Sequence, residues 1–194
     1  MNRKKDDYRC PWSVLRLFKA AILIVLTIAC EREDAGKSGT ADFELSSSEI
    51  GIDSLLPAKY TCDGESATLP LAWENAPSGT VTYTLIMHHV ASPTDVHWYW
   101  ILYNIPAGIG SLSENVSGIG SMGTNSVNGR NEYAPPCSQG PGIKAYTFTL
   151  YALHKELKIT ADPGDIDLNF ILNEIGGKVI TSASMTVYYS RDFK

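Results

Sequence analysis

Three of the four histidines, His88, His89 and His97, lie within ten residues of one another and are the first candidates for metal binding or proton transfer. On a β-strand, successive side chains point to opposite faces, so His88 and His89 cannot both bind one ion. No CxxC, HExxH or HxH spacing accompanies them. We therefore expect neither a metal nor another cofactor, and we interpret each histidine as a hydrogen-bonded strand or pocket residue.

Nucleophilic catalysis has little support in the sequence. There is no GxSxG motif, and Cys137 stands between Pro136 and Ser138 without a neighbour that would activate its thiol. The Gly-rich fragment GIGSMG at residues 118–123 lacks the lysine and the helix that follow a phosphate-binding loop. We expect that the protein is not an enzyme, and a hydrolase is the less favoured alternative.

An N-terminal segment with three parts predicts export from the cytoplasm. Six basic residues up to Lys19 precede an uncharged run from Ala20 to Ala29, and Cys30 follows. This order is typical of a secretory signal peptide over residues 1–29. The apolar run is only ten residues long, whereas a membrane-spanning helix needs about 20. A permanent signal anchor is therefore the less favoured alternative.

The end of this segment, LTIAC at residues 26–30, resembles the cleavage and lipidation site of bacterial lipoproteins. We expect that Cys30 carries a lipid anchor, with ordinary cleavage near Ala29 as the alternative. The protein would then be an extracytoplasmic lipoprotein of a bacterial cell envelope, in the outer membrane or periplasm if the cell is Gram-negative. Residues 30–41 are mostly polar and predict a flexible tether. Residues 42–194 predict a single folded domain.

Removal of residues 1–29 changes both the charge and the number of cysteines. Six basic and two acidic side chains leave, so the formal net charge changes from −5 to −9. Such an acidic protein repels phosphate backbones, which excludes nucleic-acid binding as a function class. Cys10 also leaves, so Cys62 and Cys137 remain as one possible disulfide in an oxidising compartment. Two buried free thiols are the alternative.

The elements that would position these residues are mostly strands. Residues rich in β-branched and aromatic side chains predict strands over 80–88, 98–105, 145–153 and 184–189. Both faces of the 145–153 strand carry apolar side chains, which is typical of a sheet covered on both sides. The intervening residues 112–142, rich in Gly, Ser, Asn and Pro, predict a long loop that is functional or mobile.

One helix is predicted near the end of the chain, in the segment IDLNFILNEIGG at residues 166–177. Apolar residues recur there at helical spacing, at positions 168, 171, 172 and 175. Asp165 or Asp167 is expected to cap its first turn, and Gly176 and Gly177 are expected to end it.

Six sequence blocks follow one another in an order that carries a family resemblance. They are PAKYTCDGES (57–66), PLAWENAP (70–77), VHWYWILYNIPAG (96–108), PPCSQGPG (135–142), YTFTLYAL (146–153) and the final GGKVITSASMTVYYSR. From about residue 43 to Arg191 the chain resembles the phosphatidylethanolamine-binding protein family, in its bacterial Raf-kinase-inhibitor-like branch. The resemblance implies a mainly β fold of two antiparallel sheets in a Greek-key, β-sandwich-like arrangement with a short C-terminal helix.

The resemblance also implies a small anion-binding pocket at one edge of the fold. His97 before Trp98 matches a family histidine, and Tyr146 matches the aromatic end of the GxHR[YF] motif. Pro93 matches the last proline of the DPDxP motif, and Pro135 falls at the expected pocket rim. His89 and Lys144 stand in the altered parts of the same two motifs. The implied ligand-binding set is therefore His89, Pro93, His97, Pro135, Lys144 and Tyr146.

Both motifs depart from the family pattern. DPDxP reads HVASP at residues 89–93, so both aspartates are gone, and GxHR[YF] reads GIKAY at residues 142–146. The pocket should therefore be more positive than in typical relatives. Lys144, with His89 and His97, would hold an anion by charge-assisted hydrogen bonds, more strongly in mildly acidic solution where histidine gains charge. A retained scaffold whose pocket binds nothing specific is the alternative.

The function implied is that of an exported, membrane-tethered binding protein. Its ligand would be a small molecule bearing phosphate or carboxylate, or a phospholipid headgroup. A protein-interaction module of the protease-inhibitor type, with a degenerate pocket and a partner in the cell envelope, is the alternative.

Overall fold

The computed structural model describes residues 41–139 and 141–191. The predicted signal peptide, Cys30 and nearly all of the predicted tether lie outside the described residues. Within the described ranges, no helix has the length and apolar character that crossing a membrane requires.

Two antiparallel sheets make up the described domain. The larger sheet has the strand order β6-β4-β3-β7-β8, and the smaller has the order β1-β2-β5. The strands are β1 (Glu44–Ser46), β2 (Leu71–Glu74), β3 (Thr82–Ser92), β4 (Asp95–Pro106), β5 (Ser111–Leu112), β6 (Ser121–Met122), β7 (Lys144–Leu153) and β8 (Val179–Tyr189). The predicted fold class, mainly β with two antiparallel sheets and one short helix, is confirmed.

The larger sheet buries side chains on both faces. One core cluster lies between the two sheets. It includes Tyr146, Phe148 and Leu150 of β7 in the larger sheet, and Leu71 and Trp73 of β2 in the smaller sheet. Side chains on the other face of the sheet pack with the C-terminal helix in a second cluster. Its buried members are Ile86, Ile101, Tyr103, Leu153, Leu157, Ile166, Ile171 and Ile175. The expected double coverage of the sheet is confirmed, and it explains why both faces of β7 carry apolar side chains.

The helix α1 spans Leu168–Ile175. The side chain of Asp167 accepts a hydrogen bond of 2.8 Å from the backbone N–H of Phe170, so Asp167 is the N-cap. Gly177 follows the helix with φ +69°, a conformation that glycine adopts without strain. Asp165, the other predicted cap, instead ends a short 3₁₀ helix, Pro163–Asp165.

A disulfide joins Cys62 to Cys137 across 75 residues of sequence. It connects the segment after the short 3₁₀ helix Ala58–Tyr60 to the loop that precedes β7. The backbone N–H of Cys62 also donates to the carbonyl of Pro136 at 3.0 Å. In the structure, Cys62 and Cys137 therefore form the predicted disulfide and are not free thiols.

The double substitution Cys62→Ser, Cys137→Ser is expected to lower the free energy of unfolding by about 4 kcal/mol, because it releases a long closed loop in the unfolded chain. Urea denaturation of the oxidised domain and of the variant measures this difference. Wild-type protein treated with a reductant should match the variant. Equal midpoints for all three samples would show that the bond does not stabilise the fold.

Candidate functional site

A cavity of about 370 Å³ opens at the end of the larger sheet where β3 finishes and β4 and β7 begin. Five of the six predicted ligand residues line it, namely His89, His97, Pro135, Lys144 and Tyr146. We call this cavity the edge pocket. The structure therefore brings together residues that are up to 57 positions apart, counted from His89 to Tyr146.

A β-bulge sets the direction of the side chains on β4. Met87 of β3 pairs with Trp100, but the next residue, His88, pairs with Trp98, so Tyr99 is an extra residue on β4. Trp100 is fully buried between the sheets, and strict alternation from it would turn His97 to the opposite face. Because of the extra residue, His97 and Tyr99 both line the edge pocket.

His89 and His97 lie opposite each other in the β3–β4 pair, with ring centroids 6.5 Å apart. The Nδ1 atom of His89 is 2.8 Å from the carbonyl oxygen of Ala145. A carbonyl can only accept, so Nδ1 carries the proton. The Nε2 atom of His89 is therefore an acceptor in the neutral ring and a donor once the ring is protonated.

His97 has an acidic neighbour outside the pocket lining. Its Nε2 atom is 3.2 Å from a carboxylate oxygen of Asp95, and both side chains are about half exposed. This exposure weakens the pair through solvent screening. His97 can therefore turn towards either the carboxylate of Asp95 or a bound anion.

Lys144, the first residue of β7, is partly buried and lines the edge pocket. No described residue forms an ion pair with its ammonium group, whereas Lys59 and Lys178 both pair with glutamates. The charge of Lys144 is thus available to a ligand, as far as the described part of the chain shows.

Two buried hydroxyls in the edge pocket lack hydrogen-bond partners among the described residues. They are Oη of Tyr146 and Oγ of Ser138, whose side chains are 0% and 2% exposed. Burial, with a smaller effect of Tyr99, raises the pKa of Tyr146 far above its ordinary value, so its hydroxyl stays a proton donor. Tyr99 is close enough to influence that pKa, but the two hydroxyls do not have hydrogen-bond geometry. Since an unpaired buried polar group is costly, these hydroxyls are suited to a ligand.

The far wall of the edge pocket is attached to the end of β8. Arg191 donates to the sulfur of Cys137 at 3.5 Å and forms an ion pair of 2.6 Å with Asp63. Asp63 also accepts a hydrogen bond from the hydroxyl of Tyr189. The Tyr189 bond first, and then Arg191, lower the pKa of Asp63, so this carboxylate stays ionised and already has partners.

The loop that forms the pocket mouth is ordered by one buried amide. Asn125 is 2% exposed, and its side chain accepts from the backbone N–H groups of Val127 and Asn128. The same amide donates to the carbonyls of Arg130 and Glu132. Ser126 and the backbone of Trp98 exchange hydrogen bonds of 2.9–3.0 Å. Within the described part of the predicted loop, the short strand β6 (Ser121–Met122) interrupts the irregular chain, and this hydrogen-bond network holds residues 125–132 in place.

Pro93 is the predicted ligand residue that the structure does not bring to the edge pocket. It lines a second groove of about 520 Å³ together with His88, Trp98 and Leu172. The prediction that Pro93 contributes to the pocket is therefore wrong, because Pro93 lies in the turn between β3 and β4 on the opposite face. Burial, and then the charge of His89, lower the pKa of His88, the histidine that faces this groove.

Metal binding was considered for the histidine cluster. Within residues 41–139 and 141–191, no group of three or more His, Cys, Asp or Glu side chains is placed to hold a metal ion. His88 and His89 line different cavities, as the strand geometry predicts.

Sequence reasoning missed several pocket residues. Tyr99 and Ala91 lie two positions after His97 and His89, so a period of two on a strand could have indicated them. Ser138 and Ser126 lie on the loop, where no periodic pattern indicates the direction of a side chain.

Comparison with known proteins agrees with this fold. The family profile described as "Phosphatidylethanolamine-binding protein" matches residues 46–190. The chain belongs to the phosphatidylethanolamine-binding protein family.

Relatives in other organisms cover most of the domain. A UPF0098 protein of Methanothermobacter thermautotrophicus is 33% identical over 141 residues, which are 70% of this chain and 91% of the relative. A UPF0098 protein of Aquifex aeolicus is 32% identical over 166 residues, which are 80% and 92% of the two chains.

Two solved structures share the fold. A phosphatidylethanolamine-binding protein homologue from Chlamydia trachomatis superposes with a TM-score of 0.70 at 24% identity, covering 77% of this chain and 98% of the other. YbcL of Escherichia coli, described as a new member of the mammalian family, has a TM-score of 0.69 at 23% identity, covering 78% and 100%.

Removing the hydroxyl of Tyr146 tests whether it lacks a partner in the free protein. Tyr146→Phe is expected to leave the free energy of unfolding unchanged or to raise it by about 1–2 kcal/mol, since an unsatisfied buried group is removed. The matched control is Tyr133→Phe, whose hydroxyl donates to the carbonyl of Tyr60 at 2.7 Å. That variant should lose about 1 kcal/mol. Urea denaturation without ligand distinguishes them, and equal losses would contradict the assignment.

Proposed function

We propose that this protein is an exported, membrane-tethered binding protein that holds a small anion in the edge pocket and performs no catalysis. The observation that carries the proposal is the position of Lys144. Its ammonium group has no partner among the described residues and lines the same cavity as His89, His97 and the two unpartnered hydroxyls.

Each of these groups has a defined part in anion binding. Lys144 supplies a permanent positive charge and up to three donors. The hydroxyls of Ser138 and Tyr146 are buried in the pocket wall, so they could donate to an anion only after a small movement of that wall exposes them. Bonds from such donors to an ionised group are stronger than bonds between neutral groups. His89 and His97 add donors when protonated. A volume of about 370 Å³ suits a small molecule bearing phosphate or carboxylate.

The arrangement supports binding rather than catalysis. A catalytic serine needs a base within hydrogen-bond reach, whereas the hydroxyl of Ser138 has no partner among the described residues. The Nδ1–H of His89 is directed at a backbone carbonyl instead of a carboxylate that would support a general base.

Isothermal titration with inorganic phosphate, acetate and sulfate tests the proposal. Lys144→Met should weaken binding by at least tenfold, because the permanent charge is lost. Lys155→Met, which removes an exposed lysine that does not line the pocket, is the matched control and should bind like wild type.

The same titration, with sulfate as the ligand, compares two histidine variants. His89→Gln should weaken sulfate binding, because the His89 ring lines the edge pocket. His88→Gln, on the opposite face of the same strand, should bind sulfate like wild type. Absence of binding by every anion would reject the proposal.

A protein partner at the pocket mouth is the second candidate function. Val127, which lines the edge pocket, and Ile143, next to Lys144, are 56% and 69% exposed. Apolar side chains at such positions suit a protein contact. Failure of all small anions in the titration would favour this candidate.

Export and anchoring rest on the N-terminal segment and gain support from the disulfide, because disulfides persist mainly in oxidising compartments. Cys30→Ala should move the protein from the membrane fraction to the soluble periplasmic or secreted fraction. Cell fractionation and immunoblotting measure this. Cys10→Ala is the control and should leave the protein in the membrane fraction. An unchanged membrane fraction for Cys30→Ala would contradict lipid anchoring.

A further inference from the structure

We infer that the edge pocket selects anions that carry no positively charged group, and therefore discriminates against zwitterions such as phosphoethanolamine. This inference rests on the proposed function, since it concerns the ligand of the same pocket. It is carried by the charges that surround the cavity, on its lining and just behind it.

The lining supplies positive and neutral groups but, among the described residues, no carboxylate. Lys144 supplies the positive charge of the lining. Ala91 follows His89 on the same face of β3 and is exposed on the pocket wall. A ligand ammonium group would therefore lie near the ammonium group of Lys144, and no described residue of the lining carries a carboxylate that would offset the repulsion.

Among the described residues, Asp95 and Asp63 lie close to the lining without being part of it. Asp63 is 2.6 Å from Arg191 and accepts from Tyr189, so a ligand ammonium could reach it only in competition with these groups. Asp95 is 3.2 Å from His97, but both side chains are about half exposed, so solvent screens any attraction of this carboxylate for a ligand ammonium.

Aromatic rings are the remaining means of holding an ammonium group, through cation–π contact. The ring of Tyr146 is fully buried and is packed against His89, with centroids 5.4 Å apart, and against Tyr99, with centroids 5.2 Å apart. The faces of the Tyr146 ring are therefore poorly accessible to a ligand cation, and the partly buried Tyr99 is the other tyrosine of the lining.

The experiment compares two ligands of nearly equal shape. Propyl phosphate differs from phosphoethanolamine by a methyl group in place of the ammonium group. At pH 7.5 the wild-type domain should bind propyl phosphate about tenfold more tightly, because two like charges separated by several ångströms repel at the partly screened rim of a pocket. Isothermal titration gives both dissociation constants.

Ala91→Asp places a carboxylate on the pocket wall. It should lower the dissociation constant of phosphoethanolamine, relative to that of propyl phosphate, at least tenfold. Ala91→Asn has the same size without the charge and should keep the wild-type ratio. Asp95→Asn should leave the preference for propyl phosphate unchanged or increase it, since Asp95 lies outside the lining and contacts His97.

The outcomes separate the inference from the proposed function. Equal or tighter binding of phosphoethanolamine by the wild-type domain, with propyl phosphate also bound, overturns the inference and leaves the proposed function standing. Binding of neither ligand, nor of inorganic phosphate, overturns the proposed function itself. An unchanged ratio in both the Ala91→Asp and the Ala91→Asn variants also overturns the inference.

Discussion

The β-bulge at Tyr99 is the constraint on which the edge pocket depends. On either side of it, β3 and β4 are paired so that Met87 meets Trp100 and His89 meets His97. The buried Trp100 fixes one part of β4 against the inter-sheet core. The extra residue changes the parity of the strand, so that His97 faces His89 across one cavity instead of turning away. Shifting a register by one residue exchanges the two faces of a strand, and here that exchange assembles the site.

Much of the fold could be predicted because it follows from local patterns. Three of the four long strands, β4, β7 and β8, contain the predicted segments, whereas β3 begins two residues after its predicted start, at Thr82. Polar residues such as Lys144 and Ser92 continue the ladder beyond the predicted ends. The cap at Asp167 and the end of α1 near Gly176 follow from the preferences of single residues. His88 and His89 point in opposite directions because successive side chains of a strand alternate between its two faces. The family resemblance, from ordered sequence blocks, extended these local predictions to the arrangement of the two sheets.

The parts that could not be predicted depend on contacts between distant segments. The position of Pro93 was wrong because a motif match gives the place of a residue in the chain, but not the face of the hairpin on which it lies. The sequence of the predicted loop lacks periodicity, so the order that the buried amide of Asn125 gives to residues 125–132 cannot be seen from composition. Ser138 is buried next to Cys137, which is bonded to Cys62, and the same loop is held by a hydrogen bond of 2.8 Å from Ala134 to the carbonyl of Tyr99.

The way in which charges are paired explains how one scaffold can keep its shape while its ligand changes. Asp63 and Arg191 are paired beside the disulfide, so the pocket wall has its own electrostatic support. Lys144 takes no part in that support, and Ala91 is exposed on the pocket wall. Substitutions at these two positions change the potential inside the cavity without removing a contact that holds the sheets together. Local departures from good structural rules, such as the unpartnered hydroxyls of Ser138 and Tyr146, are expected at a binding site. In the proposed function, the stability of this domain and its choice of ligand are thus set by largely separate groups of residues.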